Sequence, residues 1–165
     1  MKKSTLRYIT VSAMTAALYV VLSLISNALG LASLQVQVRF SEALTILPAI
    51  SPYSIAGVFI GCLITNILCG CAIFDIVFGS LTTLMAAILT YFLTRRLSNA
   101  KKWVAPLPPI ILNSIIIPFI LYFGYGLKPL WLSFITVFIG EFISAGILGF
   151  VLYSTLVKYK FYSLR

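Results

Sequence analysis

The sequence predicts an all-α membrane protein: a six-transmembrane-helix bundle with its N- and C-termini in the cytoplasm. Three observations carry that expectation. The 165-residue chain is 61% hydrophobic and 9% charged, with a mean hydropathy of +1.10, whereas about a quarter of the residues of a soluble domain are charged. Apolar runs recur at the length a helix needs to cross a bilayer, about 20 residues. Basic residues collect between those runs, as topology in a membrane requires. The length suits one compact bundle over residues 1–165, with no room for a second domain.

The first span is Leu6–Leu29, with Lys2 and Lys3 before it and Arg7 at its start. A secretory signal starts the same way, but its apolar region is shorter, about 7–15 residues, so this segment is expected to be retained. Residues 30–41 (GLASLQVQVRFS) read as a loop, and their V-Q-V-R-F alternation hints at an extended piece. Glu42–Ile50 is a short second span. Ser51 as cap and Pro52 as first helical residue start the third, which runs to Cys69. The fourth opens at Asp75 after Gly70 and reaches Arg95. Pro106, Pro108 and Pro109 begin the fifth, which ends near Tyr125-Gly126. The sixth runs from Pro129 to about Val157, and its 29 residues require tilt or projection from the bilayer.

Charge parity decides whether the short second span counts. With six spans, Lys2, Lys3, Arg7, Arg95, Arg96, Lys101, Lys102, Lys158, Lys160 and Arg165 share the cytoplasmic side, and Arg39 and Lys128 lie outside. With five, the Arg95–Lys102 cluster and the C-terminal cluster could not both lie with the N-terminus. The net charge of +9 therefore reads as topology in a lipid bilayer, with no nucleic acid partner implied. The cell membrane is the expected location.

Composition also narrows the chemistry. Histidine is absent, which removes the commonest general base, proton shuttle and metal ligand together. Cys62, Cys69 and Cys71 include a C-x-C, not the C-x-x-C of redox and zinc motifs, and read as packing residues. No nucleophile–base pair and no metal cluster is visible, so an enzyme is not expected, nor a cofactor or metal.

Only three acids occur, Glu42, Asp75 and Glu141, each in apolar sequence. A carboxylate at the centre of a membrane helix costs about 2.5–3.5 kcal/mol on insertion scales, so these are the first candidates for a site. In the six-span topology Glu42 and Asp75 sit at the outer ends of their helices. Glu141 lies twelve residues into the sixth, roughly 18 Å deep at 1.5 Å per residue. Asn66 in the outer part of the third span and Asn113 near the middle of the fifth add two polar groups. Asp75, Phe78, Gly79 and Thr82 fall at i, i+3, i+4 and i+7, and Phe134, Phe138 and Glu141 at i, i+4 and i+7. An aromatic beside a carboxylate suits a flat ligand carrying donors or a positive charge. Blander roles stand beside these: Asp75 as a helix cap, Glu42 paired with Arg39, Phe134 and Phe138 facing lipid. Glu141 has neither a nearby base nor a cap to serve. Small residues give a further signal, Ala13-x-x-x-Ala17 with Ser12 and Ala16 beside it, and Gly57-x-x-x-Gly61, either of which allows close helix approach within the chain or against a partner.

Arg39-Phe-Ser-Glu42-Ala-Leu44, Asp75-Ile-Val-Phe-Gly-Ser-Leu81, Pro108-Pro-Ile-Ile-Leu-Asn113 and the Gly140-Glu141 pair occur in this order. Together they resemble the QueT family, substrate-binding S components of energy-coupling factor (ECF) transporters assigned to uptake of queuosine precursors. The resemblance covers nearly the whole chain. It implies six helices with both termini cytoplasmic, a loop after the first helix covering an outward-facing pocket, and no chemistry on the substrate. It implies as partners a transmembrane coupling subunit, onto which the Ala13/Ala17 motif docks, and two ATPase subunits. The chain itself has no G-x-x-x-x-G-K-[ST] phosphate loop. For a 7-deazaguanine, Glu141 and Asp75 are expected to hold the ring donors and a cation, with Asn113 hydrogen-bonding, Phe78 or Phe138 stacking, Asn66 nearby, and Arg39 and Glu42 at the lid loop or the ligand's outer edge. A different small nutrient, or a stand-alone ion-coupled carrier using the carboxylates as relays, are the other expectations.

Overall fold

A computed structural model describes residues 3–32, 38–97 and 101–159. All the regular structure among these is helical. We label the principal helices α1 (Lys3–Ala28), α2 (Phe40–Ala49), α3 (Ser54–Leu68), α4 (Asp75–Arg96), α5 (Leu107–Tyr125) and α6 (Leu130–Lys158). A single turn, Lys101–Val104, precedes α5. Four helices, α1, α4, α5 and α6, are long and apolar enough to cross a membrane, while α3 has 15 residues and α2 has 10. The helix order is the one expected, in a membrane protein. Of the suspected extended piece, Val36 and Gln37 lie outside the described residues, Arg39 is extended (φ −109°, ψ 110°), and Phe40 already opens α2.

The second helix departs from expectation in kind. α2 is a 3₁₀ helix that begins two residues early, at Phe40, and contains Pro48. At about 2.0 Å rise per residue, the tighter winding lets ten residues travel farther than the same count in an α-helix. Seven of them are buried, among them Glu42, Leu44 and Ile46. Leu44 packs with Tyr19 of α1, Val58 and Cys62 of α3 and Ala87 of α4. The segment is thus a core rod that other helices surround, which is why it is apolar despite its brevity.

Ser51 does not cap α3. Its amide continues α2 by donating to Leu47, and its carbonyl accepts from the backbone N–H and hydroxyl of Ser54, so Ser51–Tyr53 is a turn and the helix starts at Ser54. At their far ends α1 and α3 close alike. Gly30 (φ 70°) and Gly70 (φ 65°) take left-handed conformations, and the amides after them, Leu31 and Cys71, reach back to the carbonyls of Ser26 and Asn66.

The two small-residue motifs separate cleanly. Gly57 and Gly61 face α1: a Cβ on Gly57 would lie 2.6 Å from the Thr15 Cβ, and one on Gly61 would lie 2.6 Å from the Tyr19 Cβ. This is packing within the chain. Ala13 and Ala17 lie on the opposite, exposed side of α1, beside Met14, Leu18 and Val21.

Candidate functional site

The site is built from the inward stripe of α1. Tyr19, Ser23 and Ser26 recur at i, i+4 and i+7 and are all buried. Ser26 accepts the Phe40 amide at 2.9 Å, Ser23 donates to the Ser41 hydroxyl at 2.7 Å, and the Tyr19 hydroxyl donates to Glu42. Three consecutive residues of α2 are thereby pinned, and Glu42 is held in the core with 2% exposure.

On α4 the backbone makes one wide π turn over Asp75–Gly79. Such a turn inserts a residue and shifts the phase of everything before it. The structure therefore places Gly79, not Phe78, over Asp75: a Cβ on Gly79 would lie 2.5 Å from Asp75 Oδ1. Phe78 is turned outward, 51% exposed, and stacks on Phe74. On α6, Phe138 likewise faces outward and stacks on Phe142, while Val137, Gly140, Glu141 and Ser144 form the buried stripe. Neither ring lines the polar cavities described below, and Phe134 packs edge-on against Phe119 instead. The i+7 members of the two expected faces, Thr82 and Glu141, are buried as expected, whereas placing Phe78 and Phe138 beside them assumed uniform winding and a wider inward face than the helices have.

Asp75 is not a cap. Residues 73 and 74 are already helical, and no side-chain cap bond is made. Its Oδ2 instead accepts from the Tyr125 hydroxyl at 3.3 Å and lies 3.9 Å from the Arg39 guanidinium. Tyr125 also accepts the Ala72 amide at 2.9 Å, tying the end of α5 to the entry of α4. Arg39 pairs across the bundle with Asp75 rather than with Glu42, its neighbour in sequence. Asn66 is fully buried and donates to the Asp75 carbonyl at 3.1 Å.

Two polar cavities result. The first, about 190 Å³, lies where α1, α3 and α5 end and α4 begins, and Asn27, Arg39, Asn66, Asp75 and Tyr125 line it. The second is a void of about 10 Å³ among Glu42, Thr83, Asn113 and Glu141, the size of one water. Asn113 donates to Glu141 across it at 3.0 Å. Arg39 lines both.

Apart from the Thr65 hydroxyl, which lines the outer cavity and can donate or accept, the chemistry of this cluster is one-sided. Glu42 Oε2, Asn66 Oδ1, Asp75 Oδ1, Asn113 Oδ1 and Glu141 Oε2 are all buried, and none receives a hydrogen bond from the described residues. Every one is an acceptor. Three carboxylates face one guanidinium, so the cluster can receive a positive charge and several donors. A buried acceptor left unmatched costs about 1–3 kcal/mol, which a donor-rich ligand would recover.

Sequence reasoning missed Tyr19, Ser23, Thr83 and Tyr125. The hydroxyls at Tyr19, Ser23 and Ser26 were visible as a helical stripe in an apolar span. Nothing in the sequence marked Tyr125, whose role comes from the meeting of two helix ends.

A protein-family model described as QueT transporter matches residues 9–158, nearly the whole chain. No curated protein and no solved structure matches.

Proposed function

This chain belongs to the QueT transporter family, and on that premise we propose that it is the S component of an ATP-driven ECF importer, binding a 7-deazaguanine precursor of queuosine from outside. Membership makes it a membrane transport protein and not an enzyme. The observation that supports the finer reading is the surplus of buried acceptors on Glu42, Asn66, Asp75, Asn113 and Glu141. A guanine-type base offers the complement: a ring N–H and an exocyclic amine on one edge, a pyrrole N–H, and in the aminomethyl form an ammonium group. Charge-assisted hydrogen bonds to carboxylates are roughly twice as strong as neutral ones.

In this reading Glu141 and Asn113 take the base edge, Asp75 takes the cation, and Asn66 and Glu42 complete the acceptor set. The larger cavity, at about 190 Å³, is below the roughly 300–1,000 Å³ usual for drug-sized ligands and suits a small bicycle. Phe78 and Phe138 drop out as stacking partners because they face away, and Tyr125 is the aromatic that lines the cavity.

Topology supports capture from outside. The cavity lies at the end of the bundle where α1 and α3 terminate, while Arg7, Arg95, Arg96 and Lys158 belong to the opposite helix ends. The positive-inside rule puts those in the cytoplasm of a cell whose plasma membrane holds the protein. A transmembrane coupling subunit and two ATPases would provide the energy. The outward face of Ala13 and Ala17 is free to meet the coupling subunit. Replacing both with Leu is expected to leave the isolated protein's stability and ligand affinity within error, but to abolish co-purification with the coupling subunit and ATP-dependent uptake. Uptake that persists without any ATPase would instead establish an ion-coupled carrier.

A further inference from the structure

Arg39 occupies an unusual position. It stands at the N-terminal end of α2, with its side chain 18% exposed, and its guanidinium reaches Asp75 at 3.9 Å, the long end of ion pairing. It borders the outer cavity and also the void around Glu42 and Glu141. It therefore borders both cavities at which, among the described residues, buried carboxylate oxygens go without a hydrogen bond. Glu42 is pinned by Tyr19, and Glu141 by Asn113. Asp75 keeps one oxygen free although Arg39 and Tyr125 approach the other. Of these charged groups Arg39 has the longest and most exposed side chain, and its ion pair with Asp75 is long at 3.9 Å.

We propose that Arg39 is a resident counter-cation: it occupies the cation subsite at Asp75 in the empty protein, and an incoming ligand's primary ammonium group displaces it. Its withdrawal joins the outer cavity to the Glu42–Glu141 void, so that charge recognition and access to the deep acceptors are one event. The guanidinium holds together three carboxylates that would repel one another, and an ammonium of the same charge takes over that duty on binding. A neutral analogue must leave Arg39 on Asp75 and reaches the deep acceptors less well. Arg39 thereby competes with the ligand's ammonium group for Asp75, so that removing it favours cationic over neutral ligands. The identity of the ammonium ligand rests on the binding reading above, but the cation subsite does not.

Two measurements on the purified full-length protein separate these. First, Arg39→Ala vacates the guanidinium position, and low millimolar methylguanidinium is expected to raise its melting temperature saturably. The same probe is expected to do nothing to wild type or to the Arg39→Ala/Asp75→Asn double variant. No saturable rise in Arg39→Ala, or an equal rise in all three, overturns the proposal. Second, Arg39→Gln removes the competing charge while keeping a side chain in place. It is expected to shift the affinity ratio of aminomethyl- to unsubstituted 7-deazaguanine tenfold or more toward the cation, and an unchanged ratio overturns the proposal even if Arg39→Ala does not fold. If wild type binds neither base, the substrate reading fails, and methylguanidinium still decides the role of Arg39.

Discussion

Gly61→Leu is expected to stop the chain from reaching its native packing, with little monodisperse protein recovered from detergent extracts. The reason is the seam between α1 and α3. A Cβ at Gly61 would meet the Tyr19 Cβ at 2.6 Å and its Cγ at 3.0 Å, and Tyr19 is 1% exposed. Those are atoms near the backbone, not the tip of a flexible side chain, so the helices themselves must part. Overpacking a core usually costs about 1–3 kcal/mol, and more where nothing can yield. Helix association in lipid depends on such close approach because the apolar surroundings supply little driving force of their own. The damage also reaches the site, since Tyr19 donates to Glu42. Gly57→Leu should behave alike, against the Thr15 Cβ and the Ser12 carbonyl at 2.6 and 2.7 Å. Gly124→Ala is the control. Its added methyl would meet nothing closer than 3.5 Å, so its melting temperature should stay near wild type.

The second large effect is on binding. Glu141→Gln keeps the shape of the side chain, and the protein should fold with a melting temperature at or above that of wild type, because Arg39 gives its ion pair to Asp75 and leaves the buried Glu141 carboxyl poorly compensated. Binding of an aminomethyl-7-deazaguanine should weaken tenfold or more, about 1.4 kcal/mol. The carboxylate offers two acceptor oxygens, one taken by Asn113 at 3.0 Å and one free. The amide replaces one of these with a donor, which would then face the donors of the base. Titration of the purified variant by calorimetry reads the change. Unaltered affinity would remove Glu141 from the ligand's edge.

These predictions show where the amino-acid pattern sufficed and where it did not. Long apolar runs and their proline and glycine punctuation located the helices to within a few residues, because membrane insertion leaves the backbone few alternatives. The acids were legible for the same reason: nothing but a site or a partner justifies Glu141 in that surrounding. The inward faces were less legible. Phe78 was placed beside Asp75 by counting 3.6 residues per turn, and a wide turn at Asp75–Gly79 moved it to the lipid side. Winding of that kind is decided by tertiary packing, here by the close fit of Gly79 over the carboxylate. The 3₁₀ winding of α2 was hidden likewise, as its short apolar sequence fits several helical forms. Arg39 was the clearest case of a long-range partner defeating a local one. Glu42 is three residues away in sequence, yet Asp75 takes the ion pair.

The central claim is that the cluster around Glu42, Asp75, Asn113 and Glu141 recognises a donor-bearing edge. The most direct test is calorimetric titration of the purified wild-type protein with two otherwise matched bases, 7-aminomethyl-7-deazaguanine and 7-aminomethyl-7-deazaadenine. The guanine type presents a ring N–H and an amine to the acceptors, while the adenine type turns a ring acceptor toward them. Saturable one-to-one binding of the first, with the second at least tenfold weaker, is the expected result. Equal affinity for the two, or binding of neither, would contradict it.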